Sequence, residues 1–370
     1  MDCDIFVAGH REFGILGKVI LENEVIEDGA VIVSNGIIKY AGKRDACVLP
    51  ANTRNTNAKI IGPGFVDIHC HGGYELSYKS PEKMAEYHLK NGTTALLCSL
   101  YRDIGHEQTV NAICKIKKVM ETCKNILGVH MEGPYLNPRY GAGSAGAVLN
   151  KPLKKEYDEI IKSGVVKQWT FSPEIEGTDK FLEDIKSYGI VPAIGHSEAS
   201  PERVRQVCDN GTRIITHIFD ATGCSITPSR YPGTKEVSFD EAAMLCNNVY
   251  YEVICDKNGV HVRHDMIKLL IKTVGIDKIV AITDCMYASE DDDDGDVNFE
   301  NGELVGSKLT MLKAARNFYN LGLSLPDVFK VTSFNPSCAI GADNIMGSLK
   351  PGKLANIIIV SEDFGNVEVI

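Results

Sequence analysis

Eight apolar runs recur along this chain, most of them separated by helical stretches, and that alternation leaves few folds open to it. The runs cover residues 65–68, 94–100, 126–131, 166–171, 191–195, 214–216, 249–255 and 279–283. Runs this continuous suit strands of a parallel sheet covered on both faces. Eight units favour a closed barrel over an open doubly wound sheet, and no dinucleotide-type glycine fingerprint follows the first run. A parallel barrel brings the C-terminal ends of all its strands to one rim, where chemistry collects. Five runs end there in side chains that bind metals or move protons: His69 and His71, Glu132, His196, His217, and Asp284. The pattern reads as a metal-dependent enzyme.

The first ~55 residues differ, with short strand candidates at 18–21, 30–33 and 37–41 split by turn signals such as Ser34-Asn35-Gly36. The run 355–360 repeats that character near the other end. The expected fold is therefore α/β: a (β/α)8 TIM barrel with a small β-sandwich domain built from both chain termini. The expected boundaries are 1–58 and 346–370 for the small domain and 59–345 for the barrel. Helices are expected at 107–120 and 201–210; Ser200 would cap the second, with Pro201 in its first position.

Composition narrows the function. With 370 residues the chain can bury a full-sized core, and its 44% apolar and 24% charged content is that of a globular protein. The net charge of −10 offers no basic face to nucleic acid. No run approaches the ~20 apolar residues of a membrane span, and the start Met1-Asp2-Cys3-Asp4 does not read as a signal peptide. The 12 cysteines include no CxxC pair, so a cytoplasmic protein with reduced thiols is expected. The acidic run 290–294 reads as a solvated loop after the last strand, because a calcium loop needs a better ligand pattern.

His69 and His71 are two apart, which on a strand puts both imidazoles on one face, where they can chelate one ion. A lone strand histidine is more often a core residue; a pair ending the first strand of an eight-unit pattern is not a lone histidine. Glu132 at the end of a buried strand needs a cation or an ion pair. With His196, His217 and Asp284, these donors suffice for one or two divalent metals, zinc or iron, with a position left for water.

The strings Pro63-Gly64-Phe65-Val66-Asp67-Ile68-His69-Cys70-His71-Gly72-Gly73, His130-Met131-Glu132-Gly133-Pro134-Tyr135-Leu136-Asn137-Pro138, Gly195-His196-Ser197, Thr216-His217-Ile218-Phe219, Gly259-Val260-His261-Val262, Thr283-Asp284 and Gly306-Ser307-Lys308-Leu309-Thr310-Met311 resemble those of the N-acetylglucosamine-6-phosphate deacetylase family, in the amidohydrolase superfamily. They occur in the family's order, and the tail at 347–356 resembles the family's return to the small β domain. The resemblance implies hydrolysis of an N-acetyl amide of a phosphosugar. It implies that Glu132, His196 and His217 hold the metal common to all members and that His69 and His71 add a second. It makes Asp284 the general acid/base and His261 a substrate contact that polarises the carbonyl. Ala142, Gly143, Asp220, Ala221 and Thr310 fall at substrate-binding positions. Arg230 matches a phosphate-contacting arginine that reaches into the neighbouring subunit's site, which implies a homodimer.

Two departures touch the pocket. Gly141-Ala142-Gly143 stands where the family has Gly-Ala-His, and Phe219-Asp220-Ala221 stands where it has Phe-Asn-Ala. The metal donors look intact while the pocket looks altered. This leaves open an amidohydrolase acting on a different N-acyl sugar, an N-acyl amino acid or a cyclic amide. A non-catalytic binding barrel is the more remote alternative, since every donor it would have lost is present.

Overall fold

The computed structural model describes residues 12–101, 104–141, 149–287 and 295–370. Eight parallel strands form one sheet in sequential order: β5 (Phe65–Cys70), β6 (Thr93–Tyr101), β7 (Ile126–Glu132), β8 (Val166–Phe171), β9 (Val191–Ile194), β10 (Ile214–Ile215), β11 (Tyr250–Ile254) and β12 (Ile279–Ile282). Each coincides with one of the apolar runs. The sheet closes on itself across β12 and β5 without a regular ladder. There the Thr283 hydroxyl donates to Asp67 Oδ2 at 2.6 Å and the Asp284 N–H donates to the His69 carbonyl at 2.9 Å. The His71 N–H donates back to the Cys285 carbonyl at 3.0 Å. The seam thus ties the histidine pair to Asp284.

Helices cover the outside of this ring and bury the main apolar core. The helix expected after residue 200 is α5 (Pro201–Asp209), and its first turn is closed by the Ser200 hydroxyl accepting from Arg203 N. The chain's one tryptophan, Trp169 on β8, lies in this core. It packs against Tyr135 and Phe181 and donates from Nε1 to the Gly133 carbonyl at 2.8 Å.

Inside the ring the side chains change character along the strands. Toward one end, Leu97, Ile214 and Ile254 belong to an apolar cluster with Leu309 and Ala339. Toward the C-terminal ends the interior is polar: Ser99, His130, Gln168, Thr170, Thr216 and Glu252 are all buried. Branched aliphatics usually fill these layers, so a polar layer here marks something above it that needs orienting.

Both termini build one further six-stranded sheet, ordered β16-β15-β4-β1-β2-β3. It comprises β1 (Glu12–Ile20), β2 (Val25–Ser34), β3 (Ile37–Lys43), β4 (Thr53–Pro63), β15 (Ile357–Val360) and β16 (Val367–Val369). Ile15, Val31, Ile38, Ile61 and Ile357 give it a core of its own. β4 stays in this sheet as far as Pro63, which pairs with Ile357, so the chain leaves it only two residues before β5 begins. A hairpin of β13 (Val297–Glu300) and β14 (Glu303–Ser307) follows the last barrel strand. The acidic run 290–294 lies outside the described residues.

Candidate metal centre and active-site cavity

Three strand-end residues sit in the left-handed region of backbone conformation: His196 at φ 48°, His217 at φ 23° and Asp284 at φ 47°. Such conformations are costly for residues with a Cβ and persist where the surroundings impose them, commonly at functional sites. Each follows its strand by two residues, so the chain turns sharply off the sheet and aims the side chain over the mouth of the barrel.

The side chains meet in two groups that share Glu132: His69, His71 and Glu132, and Glu132, His196 and His217. His196 Nε2 and His217 Nε2 lie 2.9 and 3.1 Å from Glu132 Oε1 and 3.0 Å from each other. His71 Nε2 is 3.0 Å from Glu132 Oε2 and 3.2 Å from His69 Nε2. Asp284 Oδ1 faces both rings of the pair, at 3.4 Å from His69 and 3.3 Å from His71. All six side chains are buried or nearly so.

The outer ring nitrogens decide what this convergence means. His196 Nδ1 lies 3.3 Å from the Tyr140 carbonyl, and His217 Nδ1 lies 3.3 Å from the Asp220 carbonyl. A carbonyl only accepts, so both Nδ1 atoms carry a proton, which leaves the inward Nε2 of each ring as the atom able to bind a cation. Lone pairs and carboxylate oxygens facing one another at about 3 Å repel unless a cation lies among them. A tetrahedral zinc ion with bonds of about 2.0–2.1 Å would put its donors roughly 3.3 Å apart, which matches these spacings. The electrostatics agree. Burial alone would lower His69, but Glu132 and Asp284 outweigh it and raise it well above its ordinary value. Burial would likewise lower His217, and the Glu132 and Asp220 carboxylates lift it to about 9. Burial would raise Glu132, yet the surrounding imidazoles hold it well below the usual carboxylate range. The cluster demands positive charge, and the donors fit one or two divalent ions.

A third group, Asp67, Cys70 and His88, does not fit an ion. His88 Nε2 and the Cys70 thiol both donate to the Gly72 carbonyl, at 2.6 and 3.2 Å, so the two atoms that face each other at 3.2 Å both carry protons.

A cavity of about 480 Å³ opens above the cluster. Glu132, His71, His196, His217 and Asp284 reach its floor. Asp220 and Ala221 line it, as do residues 300, 301 and 303–306 of the hairpin. Other expected substrate contacts stand elsewhere. His261 is not among the residues lining the cavity. Its Nδ1 is 3.3 Å from Asp256 Oδ2 and its Nε2 is 3.1 Å from the Gly306 carbonyl. Both neighbours are acceptors; burial would lower the pKa of the ring, but Asp256 raises it. Thr310 caps α8 (Met311–Asn320), its hydroxyl accepting from Lys313 N at 3.3 Å. The Arg230 side chain is 67% exposed and pairs with Glu236 at 2.7 Å. Ala142 and Gly143 lie outside the described residues.

Residues 60–369 match the amidohydrolase family. The chain belongs to the amidohydrolase family. As an amidohydrolase it is a hydrolase of carbon–nitrogen bonds, and the two relatives below are matched over more than nine-tenths of their length. N-acetylglucosamine-6-phosphate deacetylase of Bacillus subtilis (strain 168) is 26% identical over 377 residues, covering 93% of this chain and 92% of the relative. N-acetylgalactosamine-6-phosphate deacetylase of Escherichia coli O157:H7 is 24% identical over 368 residues, covering 92% and 93%. Among solved structures, N-acetylglucosamine-6-phosphate deacetylase from Thermotoga maritima superposes with a TM-score of 0.80 at 26% identity, covering 97% of this chain and 98% of that one. The Pasteurella multocida deacetylase shares the fold with a TM-score of 0.85 at 24% identity, covering 96% and 97%.

Sequence reasoning missed parts of this amidohydrolase site. The hairpin of β13 and β14 had no counterpart among the expected elements. Glu252 and Gln168 were passed over inside apolar runs, although a carboxyl between Tyr251 and Val253 is itself a signal that a strand's interior face has a polar task.

Proposed function

We propose that this amidohydrolase removes the acetyl group from N-acetylated amino-sugar 6-phosphates, with N-acetylglucosamine 6-phosphate as the leading substrate. One observation carries the reading: Glu132 is shared by two donor groups at the cavity floor, with Asp284 facing the histidine pair. The names of the similar proteins supply the substrate class.

Glu132, His196 and His217 hold one divalent ion, zinc or iron, and His69 and His71 contribute to a second. When bound, such an ion polarises the acetyl carbonyl and lowers the pKa of water toward about 7. Asp284 takes the proton of the attacking water and passes it to the departing sugar nitrogen, which leaves poorly without it. His261, whose pKa Asp256 raises and which stands behind the cavity wall at Gly306, would have to turn its Nε2–H from that carbonyl toward the developing oxyanion. Arg230 serves the phosphate of a partner subunit's substrate in a cytoplasmic homodimer. Acetate and the free amino-sugar phosphate are the products.

One observation favours a second reading, an N-acyl sugar without phosphate. Among the described residues, the cavity lining includes Asp220, Glu300 and Glu303 and no Lys or Arg. Acetate release from N-acetylglucosamine with and without the 6-phosphate, by metal-loaded protein, separates the two. Preference for the phosphorylated sugar supports the first reading, and preference for the plain sugar supports the second. No release from either defeats both.

A further inference from the structure

The buried carboxyl of Glu252 has no role in the reaction as derived, and it is an expensive group to leave inside a barrel. It sits on β11 with no exposed surface, flanked by apolar neighbours. Among the described residues, no Lys or Arg lies within ion-pair distance of it. Its two oxygens meet two donors from distant strands instead. Oε1 accepts from Gln168 Nε2 of β8 at 2.7 Å, and Oε2 faces His69 Nδ1 of β5 at 3.1 Å. One carboxyl therefore spans the barrel interior directly beneath the histidine pair.

We infer that Glu252 is a positioning residue that holds the His69 ring with Nδ1–H pointed down and the Nε2 lone pair pointed up into the ion site. The inference rests on the proposed reading of His69 as a metal ligand. Of the four clustered imidazoles, His196 and His217 give their outer N–H to backbone carbonyls, and His69 alone gives it to a carboxyl. Among the described residues the outer nitrogen of His71 has no partner, so within them His69 is the member of the pair whose ring orientation and tautomer are fixed from below. An acceptor at Nδ1 forbids the other tautomer, whose Nε2–H would face the ion. A carboxyl acceptor also makes Nε2 a better donor, and outer partners of this kind typically change metal affinity by about 10–100-fold. Gln168 completes the arrangement by occupying the second oxygen, so the carboxyl cannot rotate away from the ring. Among the described residues no other ligand is braced from across the barrel in this way, so the effect should fall on the ion held by the pair, not on the one held by His196 and His217.

The test is a zinc titration of the full-length metal-free protein in competition with a chromophoric chelator. It compares the parent with Glu252→Leu, Glu252→Gln, His69→Asn and the double variant His69→Asn/Glu252→Leu. The unfolding midpoint of each metal-free protein controls for the fold. Glu252→Leu is expected to weaken, by about 10–100-fold, the same class of zinc site that His69→Asn removes, and to leave the other class within about twofold. Adding Glu252→Leu to His69→Asn should change nothing further, because the carboxyl then has no ring to position. Glu252→Gln keeps an acceptor and the packing volume, and is expected to fall between parent and Glu252→Leu; it stands in if the leucine variant does not fold. Parent-like zinc binding by a folded Glu252 variant overturns the inference. So does an equal loss at both classes, or an undiminished loss in the His69→Asn background, since either marks a purely structural carboxyl. If His69→Asn binds zinc as the parent does, the ligand reading of the pair falls as well. If only the Glu252 variants behave as the parent, that reading stands and the positioning role alone is lost.

Discussion

Asp284 is the residue on which the proposed chemistry turns, and its two surroundings can be separated by substitution. Its carboxylate faces the His69 and His71 rings, while its backbone N–H is fixed to the His69 carbonyl across the seam. Asp284→Asn keeps the shape and the backbone bond but removes the proton acceptor. Turnover should fall by about 10²–10⁴-fold while metal content stays at the parental level, because general-base catalysis is typically worth that much. Acetate release and elemental analysis on one preparation check both halves, and a variant within tenfold of the parent would assign the base elsewhere. The convergence of the five expected donors was legible because they stand at the ends of apolar runs, and barrel geometry alone brings such ends together. Glu252 was not legible in this way. A strand's own pattern says which side faces inward, but not that β5 and β8 would offer donors across the interior. The pairing of His261 with the Gly306 carbonyl was equally invisible, since it depends on how the hairpin folds over the rim.

Among the elements, α6 (Phe239–Met244) shows how a short helix is kept next to the cavity. It follows the loop that carries Asp220 and Ala221, and the Ser238 N–H donates to Glu241 Oε2 at 2.9 Å. Burial alone would raise Glu241, but hydrogen bonds from Lys235 and Ser238 hold it at about 2, below its ordinary 4.5. A carboxyl depressed in the folded state stabilises only while it is charged. Its contribution should be complete above pH 4.5 and disappear as the pH falls through about 2. Urea unfolding of the parent and Glu241→Gln should therefore differ at pH 7, and the gap should narrow as the pH falls below 4.5; a gap independent of pH would contradict this. The eight barrel strands were legible because a parallel strand buried on both faces reads as a nearly continuous apolar run, even where a few interior positions are polar. β4 was not, because Thr53, Arg54, Asn55, Thr56 and Asn57 give its first half no apolar rhythm. The β13–β14 hairpin hid behind the acidic run, where its short strands carry exposed polar residues and only their cross-strand pairing reveals them.

At the scale of the whole molecule, an exposed Arg230 and a described cavity lining without Lys or Arg raise the question of where a phosphate would find its cation. If a partner subunit supplies it, Arg230→Ala should raise KM for the phosphosugar tenfold or more and leave the unphosphorylated sugar unaffected. Mixing Arg230→Ala with Asp284→Asn chains should then restore part of the activity, because one of the two sites in a heterodimer has both its own Asp284 and the partner's Arg230. Absence of rescue after proven subunit exchange would mean that each chain completes its own site. The molecule also carries a spectroscopic label of its own. Its only indole lies in the barrel, bonded to the carbonyl of the residue after Glu132, and the sheet built from the two chain ends has none. Tryptophan emission therefore reports on the barrel alone, whereas circular dichroism sees both units. Ion loading should shift the emission through Gly133, and in denaturant the two signals should coincide only if barrel and terminal sheet melt as one. A dichroism transition that precedes the emission change would identify the sheet of the two ends as the part that opens first.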